Sequence, residues 1–115
     1  MRLTAIEIET ATPATNQIAD LTIARLIASA TDGDAQACYE LGVIWSTGGH
    51  GVDCDLIEAH QWFNLAAARG HQEAAWCRSD ISDEMTAREI AEAQRRARQW
   101  LGDHRKTARR GYRFG

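Results

Sequence analysis

One long-range repeat constrains the fold of this chain more than any other feature. Gly33 and Gly70 lie 37 residues apart, and at each of them one helical pattern ends in a glycine-and-polar turn and another begins. Small and aromatic side chains occupy fixed offsets between the two glycines. A period of this length is typical of helical repeats, whose helix pairs bury their apolar faces by stacking on neighbouring pairs. The repeat therefore predicts an all-α chain that recognises another macromolecule.

The segment between these glycines resembles the Sel-one-like repeat (SLR) family, helix-turn-helix relatives of the tetratricopeptide repeats. The positions that match the family pattern, in order, are Ala37, Leu41-Gly42, Trp45, Gly49-His50-Gly51-Val52, Asp55, Ala59, Trp62, Ala66-Ala67 and Gly70. The match covers residues 33–70, about a third of the chain. This resemblance implies a short α-solenoid of about five antiparallel helices, in which one good SLR-like repeat is flanked by degenerate ones.

Composition and length favour one small domain with two flanking segments. We expect residues 1–14 to form an extended or disordered arm, residues 15–102 the SLR-like helical repeat domain and residues 103–115 a basic flexible tail. No apolar run approaches the roughly 18 residues that cross a bilayer, and the first residues lack an apolar signal core. The three cysteines are odd in number and widely spaced, which argues against a disulfide framework. The sequence thus predicts a cytoplasmic protein without a membrane span.

The spacing of apolar residues and helix caps predicts where the helices lie. We expect helices from Thr15 or Asn16 to about 32, over about 34–47, over about 56–69, after Gly70, and from Thr86 to about Leu101. Capping boxes are predicted at Asp55 with Glu58 and at Thr86 with Glu89. The residues predicted to face the core are Ala37, Leu41, Ile44, Trp45, Ala59, Trp62, Phe63, Ala66, Ala67, Ile90, Ala93, Ala97, Trp100 and Leu101.

Catalytic and cofactor-binding motifs are missing from the sequence. The loop Gly48-Gly49-His50-Gly51 lacks the Lys-Ser/Thr of a phosphate-binding loop, and neither Gly-x-Ser-x-Gly nor His-Glu-x-x-His occurs. His50 and Cys54 lie four residues apart and His71 and Cys77 six apart, without the paired spacing of structural zinc sites. We therefore expect no enzymatic activity, no metal site and no cofactor, with these histidines at the surface.

His60 and Asn64 lie one helical turn apart, four residues along the same predicted helix. Pairs at this spacing share a helix face and commonly hydrogen-bond there. We expect a surface hydrogen bond rather than a pair of metal ligands.

Helical geometry also predicts an interaction face. Residues at helical spacing on the second helix, turned away from its core stripe, repeat on the fourth helix after a shift of 37. In tetratricopeptide-like stacks the first helix of each pair lines the concave groove, so the resemblance implies a groove there. Its predicted members are Gln36, Tyr39, Glu40, Val43, Thr47, Glu73, Trp76, Asp80 and Glu84. Four members are acidic and none is basic, which favours a basic peptide or a basic protein surface, although an ordinary solvated helix face explains the same pattern.

Charge is distributed unevenly along the chain. Residues 1–60 hold two basic and nine acidic side chains, whereas residues 95–115 hold eight basic ones and a single acidic one. The basic residues Arg105, Lys106, Arg109, Arg110 and Arg113 are interleaved with Tyr112 and Phe114, a pattern used on single-stranded nucleic acid or anionic lipid. A solubilising tail, or one that folds back into an acidic groove, explains the same residues.

Two functional hypotheses follow from the sequence. The first is a protein–protein interaction module, an adaptor or assembly factor that binds its partner through the predicted groove. Fewer than three full repeats are marginal for a solenoid, which predicts docking on a partner or self-association through the exposed edge of the first helix. The alternative is binding of nucleic acid or another polyanion through the Arg-rich end of the chain.

Overall fold

The structure is a computed structural model that describes the backbone of residues 21–113 and the side chains of residues 21–104. Its elements are α1 (described over 21–31), α2 (Ala35–Thr47), a 3-10 turn (Gly49–Gly51), α3 (Leu56–Ala68), α4 (Gln72–Ser82) and α5 (Ala87–Arg113). Within residues 21–113 there is no strand. The predicted all-α class with five helices is therefore confirmed. The predicted arm over residues 1–14 and the predicted start of the first helix lie outside the described residues.

Aspartate side chains begin the second and third helices. Asp34 accepts hydrogen bonds from the backbone N–H groups at the start of α2, and Asp55 does the same for α3, from Ile57 at 3.0 Å and Glu58 at 3.2 Å. Such caps satisfy amide groups that have no partner inside the helix. The predicted capping box at Asp55 and Glu58 is only half formed. The backbone N–H of Asp55 already donates to the carbonyl of Trp45, and the Glu58 carboxylate lies 3.3 Å from Arg96.

The two glycines that define the repeat have the same backbone conformation. Gly33 has a φ of +96° and Gly70 a φ of +91°, a left-handed region that favours glycine. The hydrogen bonds match as well. Gly33 donates to Ala30 and Gly70 to Ala67, in both cases at 3.0 Å. The α1–α2 and α3–α4 turns therefore share one geometry at an offset of 37 residues.

Helix α3 occupies the centre of the packing and contacts α2, α4 and α5. It is buried on nearly every side. Its buried residues are Ala59, His60, Gln61, Trp62, Phe63, Leu65 and Ala66. The Phe63 ring lies against the backbone of α2 at Gly42, where a side chain would overlap it. The indoles of Trp62 and Trp100 meet edge to face at 5.0 Å and join α3 to α5.

The predicted core residues are buried or half-buried throughout. Ala37, Leu41, Ile44, Ala59, Trp62, Phe63, Ala66, Ala93 and Ala97 are buried, whereas Trp45, Ala67, Ile90, Trp100 and Leu101 are half-buried. The core cluster also takes in Ala30 of α1 and Ala74 of α4. Small residues at these crossings allow close approach of the helices.

The prediction that the last helix ends near Leu101 is wrong. Helix α5 continues through Gly102 to Arg113, so the segment predicted as a flexible tail has helical backbone as far as Arg113. A glycine inside a helix costs only about 1 kcal/mol, and no proline follows it to stop the helix. His104 also stacks on Trp100 at 3.8 Å and its Nδ1 donates to the Trp100 carbonyl, which supports the helix beyond Gly102.

Candidate protein-binding surface

The predicted groove residues lie on α2, on α4 and in the turn after α4. We call this set the α2/α4 face: Gln36, Tyr39, Glu40, Val43, Thr47, Glu73, Trp76, Asp80 and Glu84. Seven of the nine are exposed, and Tyr39 and Val43 are half-buried. Glu84 lies two residues beyond the end of α4 at Ser82, so it belongs to the connection to α5 rather than to the helix.

The two helices of this face meet at the start of α4. His71 precedes that helix, and its Nδ1 accepts a hydrogen bond from the backbone N–H of Ala74 at 3.2 Å. Because Nδ1 is the acceptor, Nε2 carries the proton and donates to Gln36 Oε1 of α2 at 2.9 Å. The imidazole therefore links the two helix starts from a half-buried position, a contact that the sequence did not predict.

Tyr39 packs into this junction instead of projecting into solvent. Its ring stacks on His71 at 4.5 Å and meets Phe63 at 5.9 Å in a tilted arrangement. Burial raises the pKa of the Tyr39 phenol, and the nearby Cys77 and Glu73 raise it further. The Tyr39 phenol is therefore protonated at neutral pH.

Trp76 is the aromatic residue that this surface presents to solvent. Its exposed fraction is 61%, the largest among the exposed large hydrophobic side chains of the described residues. Exposed tryptophan is unfavourable in water and is enriched at the energetic centre of protein interfaces. Trp76 is therefore the strongest candidate anchor for a partner.

A cavity of about 440 Å³ adjoins the α2/α4 face between α1 and α2. It is lined by Thr22, Leu26, Gln36, Tyr39, Glu40, Val43, Ile44 and His50. Four of these residues were predicted for the groove from the sequence. The contribution of α1 was missed, because its apolar spacing indicated only core packing. The buried Ile44 and half-buried Val43 give the cavity an apolar floor, and the exposed Glu40 lies at its edge.

The acidic residues of this face have no ion-pair partner among the described side chains. The ion pairs of residues 21–104 lie elsewhere and join Glu92 to Arg95 and Arg96, and Glu58 to Arg96. Glu40, Glu73, Asp80 and Glu84 therefore leave a negative potential on the α2/α4 face that no described ion pair compensates. Such a potential attracts a cationic surface and disfavours an anionic one.

A polar network inside the α3–α4 interface corrects the expectation for His60 and Asn64. His60 is 2% exposed, and its Nε2 lies 3.1 Å from Ser82 Oγ of α4. Asn64 Oδ1 accepts from Arg78 at 2.6 Å. The two side chains bond to α4 and not to each other, because α4 covers this face of α3.

A second cavity, of about 700 Å³, lies between the α2–α3 connection and the start of α5. Its lining includes Trp45, Val52 and the exposed, free Cys54. Within the described residues, no group of three or more His, Cys, Asp or Glu side chains has a geometry that could hold a metal ion. None of the described helices combines the length and hydrophobicity needed to cross a membrane.

The basic residues of the alternative hypothesis lie at the end of α5. The side chains of Arg105, Lys106, Arg109, Arg110 and Arg113 are outside the described part of the chain. The helical backbone gives Arg105, Arg109 and Arg113 positions four and eight residues apart. Residues at this spacing follow one side of a helix.

Comparison with known proteins yields no match. The chain matches no protein-family model, and no curated protein and no solved structure is significantly similar to it. The functional argument therefore rests on the residues themselves.

Proposed function

We propose that this chain is a cytoplasmic protein–protein interaction module, an adaptor or assembly factor with no catalytic activity of its own. The observation that carries the proposal is the exposed Trp76 on a face that also carries four carboxylates without ion-pair partners among the described residues. The α2 part of the same face lines a cavity with an apolar floor. The partner is a protein that presents a basic peptide or a basic surface.

The second part of the proposal concerns the architecture. Helices α1 to α4 form a short solenoid of antiparallel Sel-one-like helix pairs, and α5 closes its end. Support comes from the matching turns, in which Gly33 and Gly70 have the same conformation and the same hydrogen bond 37 residues apart. Helix α3 contacts the helix before it and the two after it, as an inner helix of a stack does.

The composition of the α2/α4 face favours binding over an ordinary solvated surface. Charged helix faces are common, but a tryptophan that is 61% exposed keeps a large apolar surface in contact with water in the unbound molecule, which is unfavourable. Aromatic hot-spot residues contribute about 2 kcal/mol or more at protein interfaces. The surrounding carboxylates add orientation and association rate rather than most of the affinity.

The test is affinity capture from native lysate with charge-reversed variants. Glu73→Lys and Asp80→Lys each reverse one exposed carboxylate of the face without touching the core. We expect each to reduce capture of the partner at least about fivefold, since charge pairs at an interface lose attraction and gain repulsion. Asp53→Lys, an equal change of charge in the exposed α2–α3 connection, is the matched control and should leave capture unchanged. Equal capture by all three variants would exclude this face.

One observation supports the alternative, binding of a polyanion through the end of α5. The backbone of α5 stays helical to Arg113, so the basic residues keep helical spacing over more than two turns. Replacement of Arg105, Arg109 and Arg113 by Gln should then weaken binding to single-stranded oligonucleotide and reduce the steepness of its salt dependence. Unchanged binding would rule out this use of the segment.

A further inference from the structure

We propose that the α2/α4 face binds residues 105–115 of a second copy of this chain. This inference rests on the proposed function, because it names the occupant of the same surface. It combines the charge of the face, the cavity beside it and the course of α5.

Charge complementarity is the first argument. The α2/α4 face contributes four carboxylates that have no ion-pair partner within residues 21–104. Residues 105–115 contain five basic side chains and no acidic one. A segment of this composition is attracted to an acidic, partly apolar surface, and copies of it repel each other. The chain therefore carries both halves of a complementary pair.

The apolar part of the surface matches the same segment. Residues 110–115 read Arg-Gly-Tyr-Arg-Phe-Gly, so aromatic and cationic side chains alternate. The cavity of about 440 Å³ is large enough for one aromatic side chain, with the exposed Glu40 at its edge for an adjacent arginine. Trp76 offers an indole face on which a guanidinium stacks, at a gain of about 0.5–2 kcal/mol.

The course of α5 points to a second copy as the source of the segment. Helix α5 runs without a break from Ala87 to Arg113 and packs against α3. Among the described helices α5 packs mainly against α3, so we infer that its end would have to leave the helix to reach α2 and α4 of the same molecule. Breaking α5 in this region would also oppose the stacking and the hydrogen bond of His104 on Trp100, which stabilise the helix there. Binding between molecules requires no such change.

The contact joins two different surfaces, so each molecule offers one acceptor face and one donor segment. Two copies form a closed dimer when each binds the segment of the other. If this reciprocal contact does not close, further copies can add and a longer chain of molecules forms. Either arrangement makes association depend on concentration and on salt, because the carboxylates of the face are solvent-exposed.

Sedimentation velocity on paired charge-reversal variants tests the inference. The face variant carries Glu40→Lys, Glu73→Lys and Asp80→Lys, and the segment variant carries Arg105→Glu, Arg109→Glu and Arg113→Glu. We expect the wild type to associate as its concentration rises and to dissociate when the ionic strength goes from about 0.05 M to about 0.5 M. Each variant alone should be monomeric, since its face and segment then have the same sign. An equimolar mixture should associate again, because face and segment have opposite signs in both combinations.

Matched controls guard against loss of folding and against bound nucleic acid. Asp53→Lys should associate like the wild type. All samples are treated with nuclease, and their ultraviolet absorbance spectrum must show that no nucleic acid remains bound. All variants must retain the helical circular dichroism of the wild type. If the face variant does not fold, Trp76→Ala replaces it and should weaken association at least about fivefold.

A fluorescent peptide of residues 105–115 separates this inference from the proposed function. Three results together support the inference. The peptide binds the wild type, it binds Trp76→Ala at least tenfold more weakly, and the full chain associates. A full chain that stays monomeric at every concentration overturns it, whether or not the peptide binds. The proposed function fails separately, if capture from lysate is insensitive to Glu73→Lys and Asp80→Lys. A mixture of variants that remains monomeric also contradicts the inference.

Discussion

Asp34 and His71 hold the same structural position in two helix starts that lie 37 residues apart. The Asp34 carboxylate accepts from the backbone N–H of Ala37 at 3.4 Å, and His71 Nδ1 accepts from that of Ala74 at 3.2 Å. The backbone N–H of Asp34 donates to the carbonyl of Ser29 and that of His71 to the carbonyl of Ala66, both at 3.0 Å. These two acceptors also lie 37 residues apart in the sequence. Different side chains thus fill one capping role, and only His71 also reaches the neighbouring helix.

Loss of the cap at His71 should destabilise the start of α4. We expect His71→Ala to lower the free energy of unfolding by about 1–2 kcal/mol, since it leaves an amide without a partner and removes the contact with Gln36. His71→Asp keeps an acceptor for the cap and should recover about half of the loss. Urea unfolding followed by circular dichroism measures both. Equal destabilisation by the two variants would mean that the cap contributes nothing.

Gly42 and Gly102 both lie inside helices, but replacing them by alanine should change stability in opposite directions. A Cβ at Gly42 would overlap the ring of Phe63, whereas one at Gly102 would meet no atom within 4 Å. Gly42→Ala should therefore cost roughly 1–3 kcal/mol from overpacking, reduced by the better helix propensity of alanine. Gly102→Ala should instead stabilise α5 by about 0.5–1 kcal/mol. Thermal unfolding of the two variants compares them directly, and stabilisation by Gly42→Ala would contradict the packing of α2 on α3.

The buried His60 should make stability depend on pH. Ser82 Oγ donates to the Arg78 carbonyl at 2.7 Å, so His60 Nε2 is the donor in its bond to Ser82, and the buried Nδ1 has no partner. Burial lowers the pKa of His60, and the positive charge of Arg78 lowers it further. The unfolded chain binds the proton first, near pH 6.5. Stability is therefore complete above about pH 6.5 and is lost as the pH falls below it.

The measurement for His60 is the difference in unfolding free energy between the wild type and His60→Gln. Gln keeps a donor for Ser82 but does not titrate, and all other groups cancel in the comparison. The wild type should lose stability relative to His60→Gln between about pH 7.5 and about pH 5. A difference that stays constant over this range would show that His60 is not buried in its neutral form.

The three cysteines should differ in reactivity toward a thiol reagent. Cys54 is exposed, Cys77 half-buried and Cys38 fully buried. Burial raises the pKa of the Cys38 thiol, and the nearby Arg69, which donates to its sulfur at 3.3 Å, offsets only part of this effect. Reaction of the native protein should give one fast thiol, which Cys54→Ser removes, and one thiol that reacts only on unfolding. Fast reaction of Cys38 would contradict its place in the core.

Local signals in the sequence predicted much of the fold. Asp55 and the pair Thr86 and Glu89 marked two helix starts, and the structure has those caps. The end of α5 was not predictable in the same way, because Gly102 resembles a stop signal until His104 is seen to stack on Trp100. Side-chain contacts between helices depend on tertiary packing, which helical spacing does not encode.

The candidate surface could be predicted only in part, for the same reason. Helical spacing places Glu40, Glu73 and Trp76 outside the buried stripes, and the structure shows all three to be exposed. The stacking of Tyr39 on His71 and the burial of His60 depend on where α4 docks on α3, and the cavity depends on α1. One signal for the contact between α2 and α4 was present in the sequence. His71 follows the helix-ending Gly70 and occupies the position that Asp34 holds in the repeat.

The central claim is that the α2/α4 face recognises a protein partner, and capture from nuclease-treated lysate with Trp76→Ala tests it most directly. Trp76 is 61% exposed, so its removal should leave the unfolding temperature within about 2 °C of the wild type. We predict that the wild type captures a discrete set of proteins even after nuclease treatment. The captured amount, quantified by mass spectrometry, should be at least fivefold lower for Trp76→Ala. Undiminished capture by Trp76→Ala, or complete loss of captured protein on nuclease treatment, would contradict the account.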